Sequence, residues 1–330
     1  MRWRRGTVMI DGIKRDTPRG NINQARLDAI PDLDEVIYYF KGCTEKSYPG
    51  INTGFIEICK ALDVDIKEST EQSCCAGNFL PFNVAPVESV VAITKRNYSV
   101  MEGYARKCVT TCNGCFSSFM QADHYYQDEP SIRQVTTKAL ESIGRDASSH
   151  VDVFHVGEYL YKHRAELPQI LQESLAGIKV AVHYGCHFLR QEDPRVVLDD
   201  PENPSILEAI LEQLEAKVVD YREKNLCCGA GLNQRMLHDD RINSLRVTNR
   251  KMKSIATHEP DMIVVICPYC LLHLDNAQLE LEVAFDEEFD IPIIHLTELL
   301  GILLGIPVER LHLDTHEIPL DGILGKIRHE

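Results

Sequence analysis

The stretch Met262-Ile-Val-Val-Ile-Cys267-Pro-Tyr-Cys270 joins a short apolar run to a Cys-x-x-Cys motif. Such a run predicts a strand buried on both faces, as in a parallel sheet. The stretch Cys108-Val-Thr-Thr-Cys112-Asn-Gly-Cys115 has the same form. Because ligands bind beyond the carboxyl ends of parallel strands, both cysteine pairs are expected where a site can form.

The sequence repeats the same order of predicted elements and cysteine motifs in its two halves. Each half contains a strand ending at Gly-Cys, a Cys-Cys pair, a strand ending at Cys-x-x-Cys, and a strand followed by His-x-x-Glu-x-Leu. Short apolar runs that alternate with longer helical segments are typical of βαβ units. We therefore predict an α/β fold of two pseudo-symmetric, Rossmann-like halves with mostly parallel sheets, each half holding one five-cysteine cluster site. The predicted boundaries are a basic N-terminal extension at 1–33, a first domain at 34–175 and a second domain at 176–330.

Ten of the twelve cysteines fall into two matched sets of five. The first set is Cys43, Cys74, Cys75, Cys112 and Cys115, and the second set is Cys186, Cys227, Cys228, Cys267 and Cys270. A chain of 330 residues needs no disulfides to supplement its core, and a thioredoxin-like pair leaves the adjacent cysteines unexplained. Structural zinc uses four ligands, fewer than each set offers, whereas an iron–sulfur cluster has several irons that adjacent thiolates can reach. Cys59 and Cys108 lie outside the sets and are predicted to be buried small hydrophobic residues.

Composition and charge exclude several classes of protein. The net charge of −15 argues against binding to a nucleic-acid backbone. The sequence has no obvious G-x-G-x-x-G fingerprint and no ferredoxin-type cysteine run, so we expect no flavin or nicotinamide on this chain and electrons supplied by a partner. The longest apolar run, Leu299–Val308, is too short for a membrane span and predicts a core helix. We expect a cytoplasmic protein, since no apolar export segment follows Arg4-Arg5 and cytosolic thiols stay reduced.

The N-terminal 33 residues are polar and rich in turn-forming residues, with seven basic and four acidic side chains. Two interpretations stay open at this point. The segment is either a solvated tail or an arm that lies on an acidic partner subunit.

The cysteine motifs resemble those of the cysteine-rich CCG domain family, and most closely those of heterodisulfide reductase B subunits. The resemblance covers about 36–306 and rests on Phe-Lys-Gly-Cys43, Ser-Cys74-Cys75, Cys112-Asn-Gly-Cys115, Val-His-Tyr-Gly-Cys186-His, Cys227-Cys228-Gly-Ala-Gly, Cys267-Pro-Tyr-Cys270 and His295-Leu-Thr-Glu-Leu-Leu-Gly. It implies that each set holds one non-cubane [4Fe–4S] cluster, with the ten cysteines as iron ligands around a shared cavity. It also implies that a small-molecule disulfide, the mixed disulfide of coenzyme M and coenzyme B, is cleaved there.

The same resemblance implies a complex. A small ferredoxin-like subunit would pass electrons from a flavin-containing subunit, with hydrogenase or formate dehydrogenase modules possible beyond them. Two departures concern the substrate: Cys-Cys-Ala76-Gly replaces Cys-Cys-Gly in the first set, and Leu271-Leu272-His273 follows the second Cys-x-x-Cys. A CCG oxidoreductase acting on a sulfur compound, a hydroxy acid or a quinone-linked substrate is therefore one alternative, and a zinc-stabilised scaffold is another.

Cleavage of a disulfide releases two thiolates that need protons, and His187 and His183 flank Cys186 as candidate catalytic donors. The alternative for His183, inside a predicted strand, is a core histidine with satisfied hydrogen bonds. His155 and His295 occupy matching strand-to-helix junctions and are expected to be structural, with contact to a cluster as the alternative. Candidate cations for anionic substrate groups lie near the cysteine motifs, with solvated surface residues as the alternative; they are Lys41, Arg190 and Arg235.

Overall fold

Two four-stranded parallel sheets, one in each half of the chain, form the framework of the fold. A computed structural model describes residues 21–77, 79–80, 84–232 and 241–328. The strands of the first sheet are β1 (Ile37–Phe40), β2 (Ile66–Lys67), β3 (Lys107–Thr110) and β4 (Asp152–His155). The strands of the second sheet are β5 (Lys179–His183), β6 (Lys217–Val219), β7 (Met262–Val265) and β8 (Ile293–His295). The strand orders are β2-β1-β3-β4 and β6-β5-β7-β8, so the two halves share one topology, as the repeat predicts.

The central strands of both sheets are buried on both faces. Every residue of β1 and of β7 is buried, which is why these strands read as continuous apolar runs rather than as alternating patterns. Parallel pairing requires a crossover between strands, and helices supply it.

Fourteen α-helices are present within the described ranges. They are α1 (Gln24–Ala29), α2 (Gly50–Ala61), α3 (Val87–Met101), α4 (Asn113–Asp128), α5 (Pro130–Glu141), α6 (Val156–Lys162), α7 (Leu167–Ile170), α8 (Cys186–Leu189), α9 (Ile206–Gln213), α10 (Arg241–Ala256), α11 (Pro268–Phe285), α12 (Leu296–Leu303), α13 (Val308–Leu311) and α14 (Asp321–Arg328). The predicted core helix over Leu299–Val308 is wrong in its bounds. The helix begins at Leu296 and ends at Leu303, because Gly305 adopts a φ of 79° and Pro307 cannot continue a helix.

The two halves exchange helix contacts in a reciprocal way. Helix α6 of the first half packs on α9 of the second, and α12 of the second half packs on α2 of the first. The second contact is close because it is made at glycines. A Cβ on Gly54 would lie 2.1 Å from the Thr297 carbonyl oxygen, and a Cβ on Gly301 would lie 3.4 Å from the Gly54 Cα. Backbone therefore meets backbone where the halves join.

Both ends of the described chain are packed into this body. Arg26 of α1 is buried and bonds Glu158 through Nε and Nη2, each at 2.8 Å. His316, near the C-terminus, lies 3.5 Å from a carboxylate oxygen of Glu298. Residues 1–20 of the predicted basic extension lie outside the described residues, but the part around Arg26 belongs to the body and is not a solvated tail.

Candidate functional site

All ten cysteines of the two sets line one cavity of about 150 Å³ between the halves. They reach it from the carboxyl ends of strands: Cys43 follows β1, Cys112 follows β3, Cys186 follows β5 and Cys267 follows β7. All twelve cysteines lie in the described residues, and all are free thiols. The convergence that the sequence predicts is confirmed, and so is the burial of Cys59 and Cys108 away from the cavity.

The Cys-x-x-Cys motifs open the two long helices that follow β3 and β7. Cys112 and Cys267 are the N-cap residues of α4 and α11, and Cys115 and Cys270 lie in the first turns. The positive end of a helix dipole and its free N–H groups favour thiolate over thiol. The sequence therefore places these sulfurs where negative charge is least costly.

The adjacent cysteine pairs are held by matching turns. In the first half, Ala76 N donates to Cys74 Sγ at 3.3 Å and Gly77 N donates to Cys75 Sγ at 3.4 Å. In the second half, the N–H groups two residues beyond Cys227 and Cys228 make the same bonds at 3.3 and 3.4 Å. Each sulfur thus has a backbone donor, which orients neighbouring side chains that would otherwise diverge.

Asn113 joins the two sets across the boundary between the halves. Its Nδ2 donates to the Tyr184 carbonyl at 2.7 Å. Gly185, with a φ of 79°, leaves the space for it, because a Cβ there would lie 2.3 Å from Asn113 Nδ2 and 3.2 Å from Cys270 Sγ. The Gly-Cys sequence is therefore a packing requirement of the boundary.

The protonation of the thiols shows how crowded the cavity is. Hydrogen bonds from neighbouring thiols lower the pKa of Cys75, Cys227 and Cys267. Neighbouring thiols and burial raise the pKa of Cys186 and Cys270. Cys112 and Cys267, from opposite halves, lie close enough for each to shift the pKa of the other. Ten thiolates cannot share such a site unless cations accompany them, so the donor set fits thiolate-bound metal.

His155 and His295 cap helices, as expected of structural residues. The Nδ1 atoms accept hydrogen bonds from Gly157 N at 3.0 Å and Thr297 N at 3.2 Å. The backbone N–H groups of both histidines donate to the glutamates three residues on. His295 Nε2 also lies 3.2 Å from the Thr111 carbonyl oxygen of the other half. Both residues hold their strand-to-helix junctions, and His295 also links the two halves.

The two candidate proton donors differ in position. His187 is half-buried and lies on the cavity wall beside Cys186. His183 is fully buried and is not part of the wall. Among the described residues, neither ring nitrogen makes a hydrogen bond of normal geometry, which does not support the alternative of a satisfied core histidine. One nitrogen of His183, the Cys228 sulfur and the Cys270 sulfur lie within 4.8 Å of one another.

No charged side chain of the described residues lines the cavity. Lys41 pairs with Glu68 at 2.7 Å and lies outside it. Arg190 borders a different cavity, and Arg235 lies outside the described residues. The other walls are apolar or neutral, with Phe79 and Tyr269 among the larger side chains.

The sequence analysis missed Glu45, a fully buried carboxyl group behind the first set. It accepts hydrogen bonds from Gly42 N at 2.8 Å, from the Tyr39 hydroxyl at 3.2 Å and from the Thr111 hydroxyl. Burial raises the pKa of Glu45 to about 7, although these donors oppose the shift. Its position three residues after Gly42, a capping-box spacing, is a signal that could have indicated it.

Known proteins share this arrangement of cysteines and identify a family for the chain. The cysteine-rich domain of the CCG family matches residues 37–120 and 180–275. The B subunit of the ferredoxin/F420H2-dependent CoB-CoM heterodisulfide reductase of Methanosarcina acetivorans is 33% identical over 294 residues, which is 87% of this chain and 95% of the relative. The chain belongs to the family of heterodisulfide reductase B subunits, which are CCG-domain proteins.

The chain is also similar to a relative with a different name. The 8-methylmenaquinol:fumarate reductase membrane anchor subunit of Wolinella succinogenes is 26% identical, covering 85% of this chain and 96% of the relative. A crystal structure of a hypothetical protein from Helicobacter pylori has the same fold, with a TM-score of 0.67 at 10% identity over 90% of this chain and 56% of that chain. The named relatives are reductase subunits, which supports an oxidoreductase role within a complex. Among the described residues, no helix is long and apolar enough to cross a membrane.

Proposed function

We propose that the chain is the catalytic iron–sulfur subunit of a heterodisulfide reductase-type complex. Its reaction would be the reduction of the coenzyme M–coenzyme B disulfide, or a related disulfide, to two thiols by two electrons and two protons. The observation that carries the proposal is that two matched sets of five free cysteines line one cavity. A site with two equivalent sulfur-rich walls suits a substrate that splits into two sulfur-containing products.

Each set would hold one non-cubane [4Fe–4S] cluster through its five cysteines. Such clusters supply stored electrons and iron atoms with an affinity for sulfur. The chain would receive its electrons from a ferredoxin-like subunit of the same complex, which a flavin-containing subunit would supply in turn. The protein should be cytoplasmic, where the thiols stay reduced.

The chain's own contribution would be a dry, neutral cavity with a proton donor at one wall. The described wall contains no lysine, arginine, aspartate or glutamate side chain, so water and ions compete weakly for the sulfurs. His187 is half-buried and adjoins Cys186, which puts it within reach of a leaving sulfur and of solvent. We assign it as the proton donor on the side of the second set.

Metal analysis of protein purified without oxygen tests the proposal. About eight irons and eight acid-labile sulfides are expected per chain. Cys75→Ala and Cys228→Ala should each lower the iron content, whereas Cys59→Ala, a buried cysteine outside both sets, should leave it unchanged. Recovery of zinc with almost no iron would contradict the proposal and favour a scaffold.

A second candidate is a CCG oxidoreductase that works on another substrate, such as a sulfur compound, a hydroxy acid or a quinone-linked substrate. The observation that favours it is the lack of a cation on the described cavity wall, since the coenzyme M and coenzyme B disulfide carries anionic groups. The assay that separates the candidates is thiol release from that disulfide by the iron-loaded chain with its native partners. Intact clusters without thiol release would favour the second candidate.

A further inference from the structure

One of the matched positions at which the two cysteine sets differ lies in the buried strand that precedes each set. Three residues before the first cysteine of each set, the first half has Phe40 and the second half has His183. Phe40 is buried and packs edge-on against Phe119, with 4.9 Å between ring centroids. An aromatic hydrocarbon therefore satisfies this position in the first half, and packing alone does not require an imidazole in the second.

The two ring nitrogens of His183 lie where the described residues offer them few hydrogen-bond partners. The side chain is fully buried, and neither ring nitrogen makes a hydrogen bond of normal geometry with the described residues, although the Lys224 carbonyl lies nearby. Burial of a polar group without a partner costs free energy, because its hydrogen bonds to water are lost and not replaced. A phenylalanine would avoid that cost, so the nitrogens are expected to have a partner.

Two sulfurs of the second set lie close to the ring and can accept a hydrogen bond. A ring nitrogen of His183 lies within 4.8 Å of both Cys228 Sγ and Cys270 Sγ. An imidazole in either charge state has at least one N–H group to donate, and thiolate sulfur is an acceptor.

We infer that His183 is a positioning residue of the second set, which donates an N–H hydrogen bond to a sulfur there and has no counterpart in the first set. Hydrogen bonds to cluster sulfurs stabilise the reduced, more negative state and so raise the reduction potential. The group held by the second set would then have the higher potential, and the first electron to enter the chain would reside there. This inference rests on the iron–sulfur occupancy proposed above.

The test is a redox titration of the iron-loaded chain, followed by electron paramagnetic resonance. His183→Phe copies the first half into the second, and we expect it to shift the higher of two midpoint potentials to a more negative value without loss of iron. His183→Gln keeps an N–H donor and should retain most of the wild-type potential. Phe40→His is the matched control variant, and it should raise the lower midpoint potential instead.

Two further measurements keep the outcome decisive. Exchange into D₂O should remove one more exchangeable proton coupling from the wild-type signal than from His183→Phe, because the backbone N–H donors to Cys227 and Cys228 are present in both. Unchanged midpoint potentials in an iron-loaded His183→Phe would overturn the inference, as would a strong directly bonded nitrogen coupling, which indicates a metal ligand rather than a donor. If His183→Phe fails to load iron, the Gln and Phe40→His variants decide. Absence of iron from the wild-type protein is a different result, because it removes the proposed function itself.

Discussion

Ala76 and Gly229 occupy the same position, directly after the two Cys-Cys pairs, and both have positive φ values of 57° and 107°. This conformation turns the backbone N–H groups toward the sulfurs. An L-residue with a Cβ pays about 1–2 kcal/mol in the left-handed region, whereas glycine does not. The replacement of glycine by Ala76 in the first set therefore strains the backbone at one residue but leaves the turn unchanged.

We predict that Ala76→Gly stabilises the protein by about 0.5–1 kcal/mol, since relief of the strain exceeds the added chain entropy of the unfolded state. Gly229→Ala is the matched opposite change. A Cβ there would lie 2.4 Å from Thr248 Oγ1 and 2.9 Å from the Ser244 carbonyl oxygen, so we expect a loss of about 2 kcal/mol or more. Chemical denaturation under anaerobic conditions measures both. A destabilised Ala76→Gly would contradict the argument.

At this scale the spacing of the cysteines predicts the convergence well, because parallel strands bring their carboxyl ends to one edge. The burial of Glu45, and the lack of a well-formed hydrogen bond from His183 to the described residues, could not be predicted. They depend on which segments of distant sequence pack behind each set, and a residue's own neighbours in sequence carry little information about that.

Helices α6 and α12 occupy matching positions, because each follows directly on the last strand of its sheet, β4 or β8. Each begins at a capping histidine, and each has a buried glutamate, Glu158 or Glu298, in its first turn. The N-terminal segment supplies Arg26 to the first glutamate, and the C-terminal segment supplies His316 to the second. Two similar helices thus receive their countercharge from opposite ends of the chain.

The two links should respond differently to pH. Burial lowers the pKa of His316, but Glu298 and Asp275 more than offset it, so the pKa lies above its ordinary value of 6.5. The stabilisation by His316 is then fully present below that value and is lost as pH rises through the higher folded pKa. We expect the stability difference between wild type and His316→Gln to be largest below pH 6.5 and to shrink as pH rises above that value.

Arg26→Gln is the control for this experiment, because arginine stays charged throughout and its loss leaves a buried carboxylate unpaired. A cost of about 3–5 kcal/mol, constant over the same pH range, is expected. Unfolding curves at several pH values measure both variants. A pH-independent effect of His316→Gln would show that its link to Glu298 is not ionic.

Some helices and strands were easier to predict from the sequence than others. The strands and the long helices were predictable because their apolar periodicity is strong. Helix α1 was missed, since its six residues expose most side chains and its reason for folding, the Arg26 contact with Glu158, spans 132 positions.

For the molecule as a whole, the joint between the halves depends on the close crossing of α2 and α12. We predict that Gly54→Ala destabilises the protein by about 2 kcal/mol or more, because the new Cβ would meet the Thr297 carbonyl, which cannot move aside like a side chain. Since both halves build the cavity, iron content should fall as well. Gly322→Ala is the control, as a Cβ there meets nothing within 4 Å.

Stability and iron per chain are the two measurements for this pair of variants. Equal values for Gly54→Ala and Gly322→Ala would mean that the halves tolerate separation at this crossing. The sequence offered a hint in the spacing of Gly50 and Gly54, but which helix they would meet was not predictable from a local pattern.

The pairs Phe40 with His183 and Glu45 with Phe188 hold matched positions behind the two sets. An assembly of two identical half-length chains would have to place the same residue at both members of each pair. Joining the halves in one polypeptide removes that constraint, so each wall of the cavity can change by single substitutions without altering the other. This continuous chain can therefore have an imidazole behind one wall of the cavity and a carboxyl group behind the other. A symmetric homodimer cannot, because its two walls would be identical.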